Sequence, residues 1–298
     1  MRRSSGRCLG SSVAAAALLV ALVSPVAAGE PSRIVVGGGD DPAVTERQSS
    51  DDLALNRWKV REAARLRSGF EQPGGGSGDQ IQPAFLAPPC DRDCPPVTFA
   101  LGSWARQQIT SYYCGPAAAQ VIINRTRNVV SSSTDGRSTT TNYRSQSAIA
   151  SFMGTGTSGS TAWMVRSGLN QFANLDASGG HVPFTVLDGV GSGSDFHWAM
   201  VTATWLLLRS AAVPVQMTLS SQHLASWTSA SWWNSHQGYI VRHWISVRGY
   251  SGLWDGTYGP ILYFTDSAGG YGGATGNFAS ASRLVFNVNQ ANSGRIVY

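Results

Sequence analysis

The sequence predicts an α+β domain, with helices from its first half packed on an antiparallel sheet formed by its second. Three observations predict it. Helix-like segments come first and strand-like segments later. About 210 residues follow Cys90, enough for one domain with a sizeable core. The 34 glycines and a charged fraction of 13% argue against a helical bundle.

Residues 1–28 read as an export signal. Arg2, Arg3 and Arg7 precede an apolar run at 13–23, too short to span a bilayer. Val26-Ala27-Ala28 offers small residues to a signal peptidase, so cleavage is expected after Ala28 and the chain is expected to be secreted. Cys8 leaves with the signal. The most apolar later stretch, 198–215, is interrupted by Arg209, so no stable membrane insertion is expected after signal removal. The formal charge of +5 includes the three signal arginines, and without them about +2 remains. That is too weak to imply nucleic acid or an anionic membrane surface as a partner.

Residues 29–89 read as accessory. An amphipathic helix is expected at 51–67, with Leu55, Trp58, Ala63 and Leu66 apolar and Arg57, Arg61 and Arg65 on another face. A Gly/Pro/Ser-rich linker follows at 72–89. Such an arm is either a removable pro-segment or a spacer. The glycine clusters at 37–39 and 269–273 lack the Lys-Ser/Thr of a phosphate loop and read as turns.

Residues 90–298 read as the main domain. A helix opens at Cys114 and is followed by a polar loop at 128–142. Helices are expected at 145–152 and 161–172, with a further one at 198–210. Strands are expected at 213–219, 238–250, 261–265 and 283–288.

Three cysteines remain after export. Cys90 and Cys94 sit among prolines and can close a small disulfide loop in an oxidising compartment. A metal site there lacks a second Cys or His pair at ligand spacing. Cys114 is then the odd thiol. It lies at a helix start, Cys114-Gly115-Pro116-Ala117-Ala118-Ala119, where Pro116 fits the first turn. The macrodipole and the free N–H groups there favour a thiolate. A buried structural cysteine would fill the same position.

A cysteine nucleophile needs an imidazole, a group to orient it and donors for an oxyanion. His243 lies on the best-defined strand, on the face of Ile245 and Val247 by alternation. Asp266 follows the next strand and can orient that ring. His197, His223 and His236 are rivals to His243, and Asp255 and Asn277 are rivals to Asp266.

Three ordered blocks resemble the papain-like bacteriocin-processing peptidase family, which cleaves double-glycine leaders, and its secreted stand-alone relatives. The first runs from Gln108 to Cys114-Gly115-Pro116-Ala117-Ala118. The second is His243-Trp244-Ile245-Ser246-Val247-Arg248-Gly249-Tyr250. The third is Phe264-Thr265-Asp266-Ser267-Ala268-Gly269. The resemblance spans roughly residues 100–280 and implies a papain-like cysteine peptidase fold. It implies Cys114 as nucleophile, His243 as base and acid, and Asp266 as the orienting residue. Gln108 would complete the oxyanion hole, with Gln107 a near rival. No cofactor or metal is implied. The expected partner is a peptide or protein substrate, including cell-wall peptide, acted on by a monomer. A cell-wall amidase or endopeptidase is one competing function, although that group usually carries Asp-Cys where this chain has Tyr113-Cys114. A non-catalytic wall- or peptide-binding module is the other. The Trp-rich stretch 227–233 and the arm lie outside the shared pattern.

Overall fold

The structure, a computed structural model, describes residues 34–36, 50–71, 95–178, 181–218, 240–252, 260–267, 277–290 and 294–298. The signal segment, the linker at 72–89, Cys90 and Cys94 lie outside these residues. So do the Trp-rich stretch and His223, His236 and Asp255.

The strands are β1 (Ile34–Val36), β2 (Thr98–Ala100), β3 (Val186–Leu187), β4 (Ala211–Thr218), β5 (Ile240–Ser251), β6 (Ile261–Asp266), β7 (Asn277–Ser280) and β8 (Ile296–Val297). The helices are α1 (Ser50–Glu71), α2 (Cys114–Thr126), α3 (Gln146–Met153), α4 (Ala162–Phe172), α5 (Gly193–Val201) and α6 (Ala281–Gln290). The fold is α+β, as expected. The strands form one sheet in the order β3-β8-β4-β5-β6-β7, with β1 and β2 also paired to β5. Every pairing is antiparallel except β1 with β5.

β5 is the organising strand, because four others pair with it. Its β-branched and aromatic run, Ile240-Val241-Arg242-His243-Trp244-Ile245, suits a buried central position. One edge carries β4 from Ile240 to Val247 and then β2 from Gly249 to Ser251. The opposite edge carries β1 at Ile240–Arg242 and β6 from Ile245 onward. Gly249 makes the β2 contact possible, since a Cβ there would lie 2.5 Å from the Phe99 carbonyl oxygen.

Helices cover both faces. On one, Val213, Val215, Ile245, Val247 and Phe264 pack with Phe196 and Met200 of α5 and with Leu284 and Val288 of α6. On the other, Ala212, Trp244 and Val297 pack with Ala118, Ala119 and Ile122 of α2, backed by Ile149 of α3 and Leu169 of α4. The Cys114 helix therefore lies on the Trp244 face, not on the face of Ile245 and Val247. Alanines on α2 and Ala212 on β4 let this helix come close to the sheet; the bulkier aliphatic face takes α5 and α6.

The short strands β1, β2, β3, β7 and β8 were not expected, and two expected elements take another form. The strand expected at 283–288 is the helix α6. Leu284, Phe286 and Val288 mimic strand alternation, but Leu284, Val285 and Val288 face inward at helical spacing and Phe286 is 55% exposed. The helix expected at 198–210 starts earlier, at Gly193, because the Ser192 side chain caps it by accepting from the Asp195 N–H. It then ends in a π-helical turn, Thr202–Leu206.

α1 is longer than expected and packs into the fold. α1 belongs to the same compact unit as the rest of the described fold. Lys59 is fully buried and donates to the Pro183 carbonyl at 3.1 Å, to Thr185 Oγ1 at 2.9 Å and to the Tyr298 carbonyl. Asn56 Nδ2 donates to the Val186 carbonyl at 2.6 Å, and Leu66 joins the core. No helix among the described residues is long and apolar enough to cross a membrane.

Candidate active site

Cys114 is the first residue of α2. The N-cap, Tyr113, makes no side-chain capping hydrogen bond, and the positive end of the helix lies at the thiol. Gly115 is forced by close packing: a Cβ would meet Ser160 Oγ at 2.5 Å and Ser160 Cβ at 2.7 Å. Ser160 in turn accepts a hydrogen bond at its carbonyl from Trp244 Nε1, at 3.1 Å. Trp244, the residue after His243, thus ties the sheet to the loop that backs Cys114.

His243 and Asp266 meet on adjacent strands. Asp266 pairs with Ile245 in the β5–β6 register, two residues along from His243. The imidazole Nε2 and Asp266 Oδ1 lie 2.8 Å apart. The same ring is hydrogen-bonded to Cys114. Because Nε2 is taken by the carboxylate, Nδ1 is the nitrogen left for the sulfur. All three residues are buried, with Cys114 at 0%, His243 at 2% and Asp266 at 6% exposure.

Burial alone would disfavour a charged imidazole here. The charge and hydrogen bond of Asp266 outweigh it, helped by the hydrogen bond and charge of Cys114, and raise His243 from 6.5 to about 10. The favoured state is an imidazolium between a carboxylate and a sulfur. Chemically, such a ring can hold a thiolate and later give up a proton to a leaving group.

Gln108 stands beside this set. Its main-chain N–H donates to the Ser267 carbonyl at 2.9 Å, next to Asp266. Its side-chain Nε2 donates to the Thr110 carbonyl at 3.1 Å, and Ser267 Oγ donates to its Oε1 at 3.5 Å. Gln107 is exposed and its main chain turns to the 128–142 loop, donating to the Thr134 carbonyl at 2.8 Å.

Two buried glutamines fix this segment. Gln146 Nε2 donates to the Gln107 carbonyl at 2.9 Å and to Gln120 Oε1 at 3.1 Å, while Gln146 Oε1 accepts from the Ile109 N–H at 3.0 Å. Gln120 Nε2 donates to the Gly136 and Arg144 carbonyls. Gln146 therefore grips the chain on both sides of Gln108. Sequence reasoning missed Gln120 and Gln146. The available signal was an amide on an otherwise apolar helix face: Gln120 lies between the Ala117–Ala119 and Val121–Ile123 runs.

The two described rivals, His197 and Asn277, are placed elsewhere. His197 is fully buried on the α5 side of the sheet, edge-on to Trp198 and Tyr250, with neither ring nitrogen hydrogen-bonded. Burial lowers it to about 3, so it stays neutral. His181 is exposed and pairs with Asp176 at 2.8 Å. Asn277 lies one strand further out than Asp266, on β7 opposite Phe264. Among the described residues no group of three His, Cys, Asp or Glu side chains could hold a metal ion.

No protein-family model matches the chain, and no curated protein or solved structure matches it.

Proposed function

We propose that the chain is a secreted cysteine peptidase of papain-like fold, hydrolysing peptide bonds through Cys114, His243 and Asp266. One observation carries the reading. A thiol at a helix N-terminus and a carboxylate 2.8 Å from Nε2 flank one buried imidazole, and together they keep it charged. A structural cysteine has no need of that arrangement.

The Cys114 thiolate attacks the carbonyl carbon of the scissile bond. The oxyanion is held by the Cys114 main-chain N–H and by Gln108 Nε2, once that amide leaves the Thr110 carbonyl. The C–N bond breaks as His243 gives its proton to the departing amine. Water then attacks the thioester, losing a proton to His243, and the acid product leaves with Cys114 again a thiolate. Asp266 holds the ring by Nε2 throughout.

A peptide library and purified peptidoglycan, incubated with the chain and with Cys114→Ala, test this. Peptide products that disappear in Cys114→Ala are expected. Products formed equally by both proteins would contradict the reading.

A further inference from the structure

β1 and β6 share one edge of β5, and the gap between them falls at the catalytic histidine. Val36, the last residue of β1, pairs with Arg242. Asp266, the last residue of β6, pairs with Ile245. Only His243 and Trp244 separate the two registers. β1 runs parallel to β5 and β6 antiparallel to it, so the two strands point at each other across that gap. The N-terminal segment thus arrives at the reacting groups as an extended strand, in register with the residue just before the imidazole. Independently, Cys114, His243 and Asp266 are all nearly excluded from solvent. A peptide reaches the thiol only after some part of the chain yields.

We propose that the β5 edge at Ile240–Arg242 is the binding edge for an extended peptide substrate, and that Ile34–Val36 occupies it in the intact chain. The inference rests on the peptidase reading and gives it a substrate form and a means of restraint. The substrate is an unfolded peptide that adds as a strand parallel to β5, using main-chain hydrogen bonds for affinity. A three-residue strand holds its place only through tethering, which raises its effective concentration over any substrate in solution. Freeing the segment from β5 opens the edge without touching Cys114, His243, Asp266 or Gln108. α1 is anchored separately by Lys59 and stays with the fold.

The test uses the full chain and its Val35→Pro variant, since proline has no N–H to offer a ladder and fixes φ away from an extended strand's value. Two reagents report on Cys114: an extended peptidyl epoxide, which needs the edge, and iodoacetamide, which does not. Val35→Pro is expected to raise the epoxide rate about tenfold or more relative to the iodoacetamide rate, as removal of a mostly bound occupant requires. A synthetic peptide of residues 31–39, added back, is expected to slow it again; a fold that had merely loosened would not respond. An unchanged ratio, with Cys114 still alkylated in a His243-dependent way, overturns the proposal and leaves the peptidase reading standing. Alkylation of Cys114 independent of His243 in every form overturns both.

Discussion

At the scale of single residues, His243 sets the pH behaviour. Its folded-state value, about 10, lies above the ordinary 6.5, because Asp266 and Cys114 outweigh the cost of burial. Proton linkage then makes its contribution to stability complete below about pH 6.5 and progressively lost as the pH rises toward 10. Urea unfolding at several pH values should show this decline, and Asp266→Asn should flatten it. The alkaline limb of peptide hydrolysis should follow the same group, near pH 10 in the native chain and shifted toward neutrality in Asp266→Asn. A limb that stays put in that variant would remove Asp266 from its role. Gln108 belongs to the same scale. Gln108→Ala should lower kcat about 100- to 1,000-fold with little change in KM, the cost of one oxyanion donor. Local pattern made Cys114, His243 and Asp266 candidates, as a thiol at a helix start, a histidine on a strongly β-forming run and an acid at a strand end, but it left rivals open, and the set with Gln108 came from the family resemblance. Gln146 was not legible, because its worth lies in gripping the main chain of Gln107 and Ile109, nearly forty residues away.

At the scale of elements, the decisive contacts are those that seat α2 on the sheet. Gly115 has no room for a side chain against Ser160, and Ser160 is itself held by Trp244. Gly115→Ala should push the start of α2 from the sheet and cost about 1–3 kcal/mol, as overpacking does. Activity should fall with it, because the thiol rides on that turn; a native melting temperature and full activity would contradict this. The longer helices and strands of the central domain were readable from hydrophobic period and caps, but the short strands β2, β3, β7 and β8 were not. The error at 283–288 shows the limit of that reading. Leu284, Phe286 and Val288 alternate as a strand would, and only the burial of Val285 with Leu284 and Val288 reveals the helical stripe. The parallel strand β1 carries no hairpin or turn signal linking it to β5, which it joins from over two hundred residues away. Long-range pairing of that kind leaves no local trace.

At the scale of the whole molecule, the arm before the domain contributes to it. Sequence composition separates 29–89 from the rest, and amphipathicity predicts α1, but neither shows where the helix docks. The answer is chemical. The only lysine of the chain is buried against three acceptors, two of them main-chain carbonyls. Lys59→Met should leave those acceptors without their donor and cost about 1–3 kcal/mol. A lower melting temperature is expected, while Cys114 labelling per folded molecule stays unchanged. A fold indifferent to that substitution would mean that α1 is a loose attachment. Helices on both faces bury a sheet whose central strand carries the imidazole, and they bring a thiol to it from the opposite layer.

The central claim is that His243 assists Cys114 as a nucleophile. Its most direct measurement is the rate of Cys114 alkylation by iodoacetamide at pH 6, mapped by mass spectrometry, in the native chain and in His243→Ala. The account predicts labelling at Cys114 that slows by roughly 100-fold in the variant, because the sulfur loses the imidazole that assists it. Equal rates in the two folded proteins would contradict it.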